Sequence, residues 1–150
     1  MLKKTTLLLL FCSLWSCGFT PLYLKKNDLD RPIKTVKFNG DQNINRIIMA
    51  SLGLKEDKNI ETGYSLTLNS TKKIEVISKD KNGSPSVYRS SIIVNFLLIY
   101  EGDIFKQKNF DTSFTYNNSN NKFDLSQYQK KIEENLVNEI SEKIFIYLKS

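Results

Sequence analysis

Between Tyr64 and Val76 the chain alternates with a period of two. Tyr64, Leu66, Leu68, Ser70, Lys72, Ile74 and Val76 share one parity; Thr67, Asn69, Thr71, Lys73 and Glu75 share the other. This pattern predicts a long strand packed at both ends of one face and wet on the other, as in an antiparallel sheet. Ser78 to Pro85 is polar and contains Asn82-Gly83, a strong hairpin signal. Val87 to Tyr100 follows as the most apolar strand. Tyr88, Ile92, Val94, Phe96, Leu98 and Tyr100 lie on one face, and Val87, Ile93, Leu97 and Ile99 on the other. A strand apolar on both sides belongs at the centre of a sheet or under cover on both faces.

Glu101-Gly102-Asp103 turns the chain into a further strand with Phe110, Phe114 and Tyr116 on one parity. A two-residue loop at Gly102-Asp103 pairs Phe110 with Asn95. A three-residue loop over 102–104 pairs Phe110 with Phe96 and Phe114 with Ile92. Burial sets register, so the odd-length loop or a bulge is expected. Upstream, Ile33, Thr35 and Lys37 alternate with Lys34, Val36 and Phe38 in a short strand that ends at Asn39-Gly40. Asp41 can cap a helix carrying Ile44, Ile47, Ile48 and Leu52, with Gly53 at its end and a loop over 59–63. After a polar loop from Asn117 to Lys122, Asp124 with Gln127 forms a capping box. The helix it opens has the stripe Leu125, Tyr128, Ile132, Leu136, Ile140, Ile144 and Leu148, broadened by Val137, Phe145 and Tyr147. The order is β-α-β-β-β-α. It predicts an α+β sandwich: a four-stranded, mostly antiparallel sheet packed against two helices.

The first residues follow a different rule. Lys3 and Lys4 precede an apolar run from Leu7 to Phe11, extended by Leu14 and Trp15, and the run ends at Ser16-Cys17-Gly18. That run is shorter than the roughly 20 apolar residues a spanning helix needs. A basic start, a short apolar core and a small residue before a cleavage point read as an export signal. Leu14-Trp15-Ser16-Cys17 further resembles the bacterial lipobox, although Trp15 is unusual at its position. Acylation would then fall on Cys17, with a simply cleaved signal as the alternative. The division expected is a signal over 1–16, a tether over 17–31 and one domain over 32–150. Two or three acyl chains, at about 0.8 kcal/mol per buried CH₂, hold a protein stably on a membrane.

Composition narrows the chemistry. Without the first 16 residues, 20 basic and 16 acidic side chains remain, a formal +4 against +6 for the whole chain. Such an excess suits anionic partners, although solvated surface lysine accounts for most of these residues. An exported address argues against nucleic acid. The chain has no histidine, and its two cysteines are Cys12, inside the signal, and Cys17. A Ser-His-Asp triad, a Cys-His pair and His- or Cys-based metal sites are therefore excluded, and no disulfide is expected in the mature chain. The carboxylates Asp80, Glu101, Asp103 and Asp111 fall at opposite ends of the predicted sheet, so no acid/base pair is evident. An enzyme is not expected. Nor is any cofactor beyond the covalent lipid on Cys17.

The string Cys17-Gly18-Phe19-Thr20-Pro21-Leu22-Tyr23, the Lys81-Asn82-Gly83 tip, Tyr88, Val94-Asn95, and the segment Gly102-Asp103-Ile104-Phe105 together resemble the LPS-assembly lipoprotein family, LptE (also called RlpB), in its alphaproteobacterial form. The resemblance covers essentially the whole chain, and the start string is its most specific part. It implies a lipoprotein anchored in the cell outer membrane and facing the periplasm. It also implies a plug inside the large LptD β-barrel that assists barrel assembly and lipopolysaccharide delivery to the cell surface. Gly18 after the cysteine agrees with that sorting. A lipoprotein adaptor for another envelope machine, in barrel insertion or peptidoglycan synthase activation, is the alternative role.

Topology adds a site. Consecutive antiparallel strands put the 78–85 turn and the 117–122 loop at one sheet end, opposite the Gly102 turn. Lys79, Lys81 and Lys122 then share a tip, where ammonium groups suit lipid A phosphates as point charges. Lys81 also matches the basic tip position of the family. Phe19, Leu22 and Tyr23 are suited either to a barrel or membrane interface or to packing on their own domain.

Overall fold

The computed structural model describes residues 31–150. The signal, Cys17 and Phe19 to Tyr23 lie outside the described residues. The elements are β1 (Ile33–Gly40), α1 (Gln42–Ser51), β2 (Tyr64–Lys79), β3 (Pro85–Tyr100), β4 (Asp103–Asn117) and α2 (Lys122–Lys149). The sheet order is β1-β2-β3-β4. β1 runs parallel to β2, while β2–β3 and β3–β4 are antiparallel. This is the α+β order that the alternation predicts, with both helices on one face.

Local chemistry explains the boundaries. Asp41 caps α1 as expected, accepting from the Asn43 and Ile44 amides at 3.0 and 3.1 Å. Gly40 precedes it at φ +71, and a Cβ there would lie 2.0 Å from the Ser70 carbonyl oxygen. That close approach lets the Asp41 amide donate to the same oxygen at 2.9 Å. In β1 the register slips between Ile33 and Thr35. The extra residue turns Ile33, Val36 and Phe38 to the same side despite their mixed parity.

The core lies between sheet and helices. Leu66, Leu68, Ile92, Val94, Phe96, Leu98 and Phe110 of the sheet meet Ile44 and Ile48 of α1 and Ile132, Leu136, Val137, Ile140, Ile144 and Leu148 of α2. Tyr147 wedges α2 onto β4. Its ring meets Phe96 and Phe110 edge-on, and its hydroxyl donates to the Gln107 carbonyl at 3.2 Å.

Three expectations are corrected. First, α2 starts at Lys122 and its cap is Asn121, which accepts from the Phe123 and Asp124 amides. Asp124 instead sits in the first turn, where its charge favours the positive end of the helix dipole. Second, the β3–β4 loop is the two residues Glu101-Gly102, both at positive φ (51 and 92). A bulge between the pairs Leu98–Lys106 and Ile99–Ile104 restores the expected parity, but Phe110 faces Val94 and Phe114 faces Ser90, two residues from the expected pairing. Third, β2 is packed only in its first half. Leu66, Leu68 and Ser70 are buried, whereas Ile74 and Val76 are exposed. β3 lies between β2 and β4, the central place its two apolar faces predict, and on its outer face Ile93 is 46% exposed.

Candidate functional site

β1 ends opposite Ser70, so β2 from Thr71 to Lys79 has β3 on one side and no β1 partner on the other. The β2–β3 hairpin therefore projects beyond α1. Its turn is organised by Asp80, whose carboxylate accepts from the Asn82 and Ser84 amides at 2.9 and 2.8 Å. Gly83 supplies the left-handed residue at φ +81. Lys79 and Lys81, both exposed, flank this turn.

The loop after β4 lies against the same end. The Asn118 amide donates to the Ser86 carbonyl at 2.8 Å, and its side chain donates to the Pro85 carbonyl at 2.7 Å. Lys122 follows as the first helical residue, next to the Asn121 cap. The three lysines thus stand on loops or element ends that share one end of the sheet. Lys122 adds its charge to a helix N-terminus that is already positive. Asp80 and Asp124 oppose part of this field, but the Asp80 carboxylate is engaged by the amides of its own turn.

Beside this tip lies a feature absent from the sequence reading. Between β4 and α2 runs a cavity of about 410 Å³ whose apolar walls are Phe114, Tyr128, Ile132 and Leu136, with Lys131 and Glu139 among its lining. Phe114 is 46% exposed and pairs with Ser90, although Tyr116, two residues further along the same face, is buried. Tyr128 meets Tyr116 edge-on, and Gln129 donates to the Tyr116 hydroxyl at 2.9 Å. The alternation assigned Phe114 and Tyr128 to the core. In the structure both are exposed, Phe114 at 46% and Tyr128 at 47%.

On the other side of α2, the Lys72 ammonium meets Glu133 at 2.7 Å, tying β2 to the helix. At the groove, Glu139 is held below its ordinary pKa of 4.5, first by a hydrogen bond from Lys143 and then by one from Thr112. On β2 and the outer sheet face, Glu75 is lowered by a hydrogen bond from Lys73 and by its charge. Neither carboxylate has the raised pKa of a general acid. Among the described residues no three potential metal-ligating side chains gather, and no helix is long and apolar enough to cross a membrane. Chemically, the tip and groove can hold an anionic head beside apolar tails.

No family model matches the chain, and no curated protein matches it. Solved structures do share its fold. Rare lipoprotein B from Shewanella oneidensis superposes with a TM-score of 0.60 at 10% identity, over 77% of this chain and 93% of that one. A minor lipoprotein from Acinetobacter baumannii gives 0.56 at 10% identity, over 78% and 92%. A lipoprotein from Caulobacter crescentus gives 0.53 at 14% identity, over 75% and 86%. At such identities the shared property is the fold: a four-stranded sheet with two helices on one face.

Proposed function

We propose that this chain is a non-enzymatic outer-membrane lipoprotein, held by acylated Cys17 on the periplasmic side. In this reading it plugs and helps assemble an LptD-type β-barrel and assists lipopolysaccharide delivery to the cell surface. The observation that carries the reading is the composite end of the molecule. Lys79, Lys81 and Lys122 crown the sheet end beside which Phe114, Tyr128, Ile132 and Leu136 line a groove. Lipopolysaccharide is a phosphorylated amphiphile, and this end offers both of the surfaces it needs. Cations act on phosphate as point charges, and apolar walls accept acyl chain. The fold shared with rare lipoprotein B from Shewanella oneidensis supports the lipoprotein part of the reading.

Loss of lipopolysaccharide binding in the Lys79→Glu/Lys81→Glu/Lys122→Glu chain, with the melting temperature kept, is the expected result. Binding at the wild-type level would remove the tip from the account. The anchor is tested separately by labelled palmitate, whose incorporation should vanish in Cys17→Ser.

A further inference from the structure

We infer that the opposite end of the molecule, around the Glu101-Gly102 turn, is a docking face for an anionic phospholipid surface. Three observations meet there. The first is where the described chain begins. Arg31 lies at this end: its guanidinium donates to the Leu148 carbonyl at 3.0 Å and stacks over Phe105 at 4.8 Å and Tyr64 at 5.7 Å. The described chain therefore begins at this end, 14 residues after Cys17, and not at the lysine tip.

The second observation is exposed apolar surface. Ile104 is 62% exposed, Phe105 45% and Tyr100 36%, and Ile146 on the adjoining last turns of α2 is 68% exposed. Ile104 pairs with Ile99 on the outer sheet face, whereas Phe105 meets Tyr64 on the helix face, so the patch wraps the turn instead of lying on one sheet face.

The third is charge. Arg31, Lys106, Lys108 and Lys149 surround this surface. Lys106 donates to the Tyr147 carbonyl at 2.7 Å, and Lys108 lies over the rings of Phe110 and Tyr147. Glu101 and Asp103 at the turn, and Asp111, which shares a surface with Lys108, Lys143 and Ile146, are the opposing side chains. The loop at the β1 corner is of mixed charge, with Lys55 and Lys58 against Glu56, Asp57 and Glu61. Isoleucines and aromatics ringed by cations match the interface of an anionic bilayer: rings and aliphatic side chains enter the headgroup boundary while ammonium groups stay at the phosphates.

The inference rests on the lipid-anchor reading for its orientation, so its test separates the two. The full chain is reconstituted into phosphatidylglycerol vesicles, carrying a nitroxide at Ile104→Cys, Ile146→Cys or Lys81→Cys. Collisions with oxygen and with a water-soluble nickel chelate are then measured. Oxygen access at positions 104 and 146 should exceed that at 81 by roughly threefold, with the nickel contrast reversed, as for side chains at the acyl boundary. Equal, water-like access at all three positions would overturn the proposal. So would shielding of 104 and 146 from both reagents, because a segment of protein would then cover the face. The chain with no added cysteine is the control: nitroxide uptake there reports a free native thiol, which is failure of the anchor alone.

Discussion

Two residues hold backbone conformations that their neighbours dictate. Gly40 sits at φ +71 with room for nothing larger than hydrogen, since a Cβ would meet the Ser70 carbonyl oxygen at 2.0 Å. Gly40→Ala should cost about 2 kcal/mol or more in chemical denaturation, because it adds left-handed strain to a backbone clash. Glu101 is the converse case, a side chain placed where the two-residue hairpin wants asparagine. Glu101→Asn should stabilise the chain by about 0.5–1 kcal/mol. The same change should lower the pKa of Tyr100, which the Glu101 charge holds above 10.0, and ultraviolet titration of the phenol reads that directly. The alternation located this turn but placed it one residue late. A glutamate at positive φ is uncommon, so the residue types gave no reason to choose Glu101-Gly102 over Gly102-Asp103.

Among the elements, α2 supplies more core side chains than any other, and Tyr147 is its fastening point on β4. Tyr147→Phe should cost about 0.5–1 kcal/mol through loss of its hydrogen bond to the Gln107 carbonyl. Tyr147→Ala should cost about 3 kcal/mol, because Phe96 and Phe110 also lose their edge contacts. Glu139 on the same helix adds a pH dependence of known sign. Its carboxyl titrates below the ordinary 4.5, so its contribution is present above that value and is lost as pH falls through its lowered folded value. In Lys143→Ala, a carboxyl-carbon NMR titration of Glu139 should move back toward 4.5, since the Lys143 hydrogen bond is the leading cause of the shift. Element order, the Asp41 cap and the buried stripe of α2 were all legible from periodicity. The start of α2 was not, because Asp124-x-x-Gln127 satisfies the same capping chemistry that Asn121 performs.

At the scale of the molecule, element lengths decide what is covered. Ten residues of α1 span about 15 Å, whereas the sixteen residues of β2 span about 53 Å. The hairpin must therefore project, and Ile74 and Val76 are exposed although their parity is that of the core. Periodicity says which face a residue occupies, not how far the cover extends. The groove at Phe114 stayed hidden because parity does not distinguish Phe114 from Tyr116, which share a face although only Tyr116 is buried. The lysine tip, by contrast, followed from strand order alone, since antiparallel neighbours place alternate turns at the same end. The molecule then has two unlike ends, a cationic tip beside an apolar groove and a turn beside the point where the described chain begins. Affinity purification of the tagged full chain from detergent-solubilised outer membrane tests the central proposal most directly. The account predicts that a large outer-membrane β-barrel co-purifies in stoichiometric amount. Recovery of a peptidoglycan synthase in its place, or of the chain alone, would contradict it.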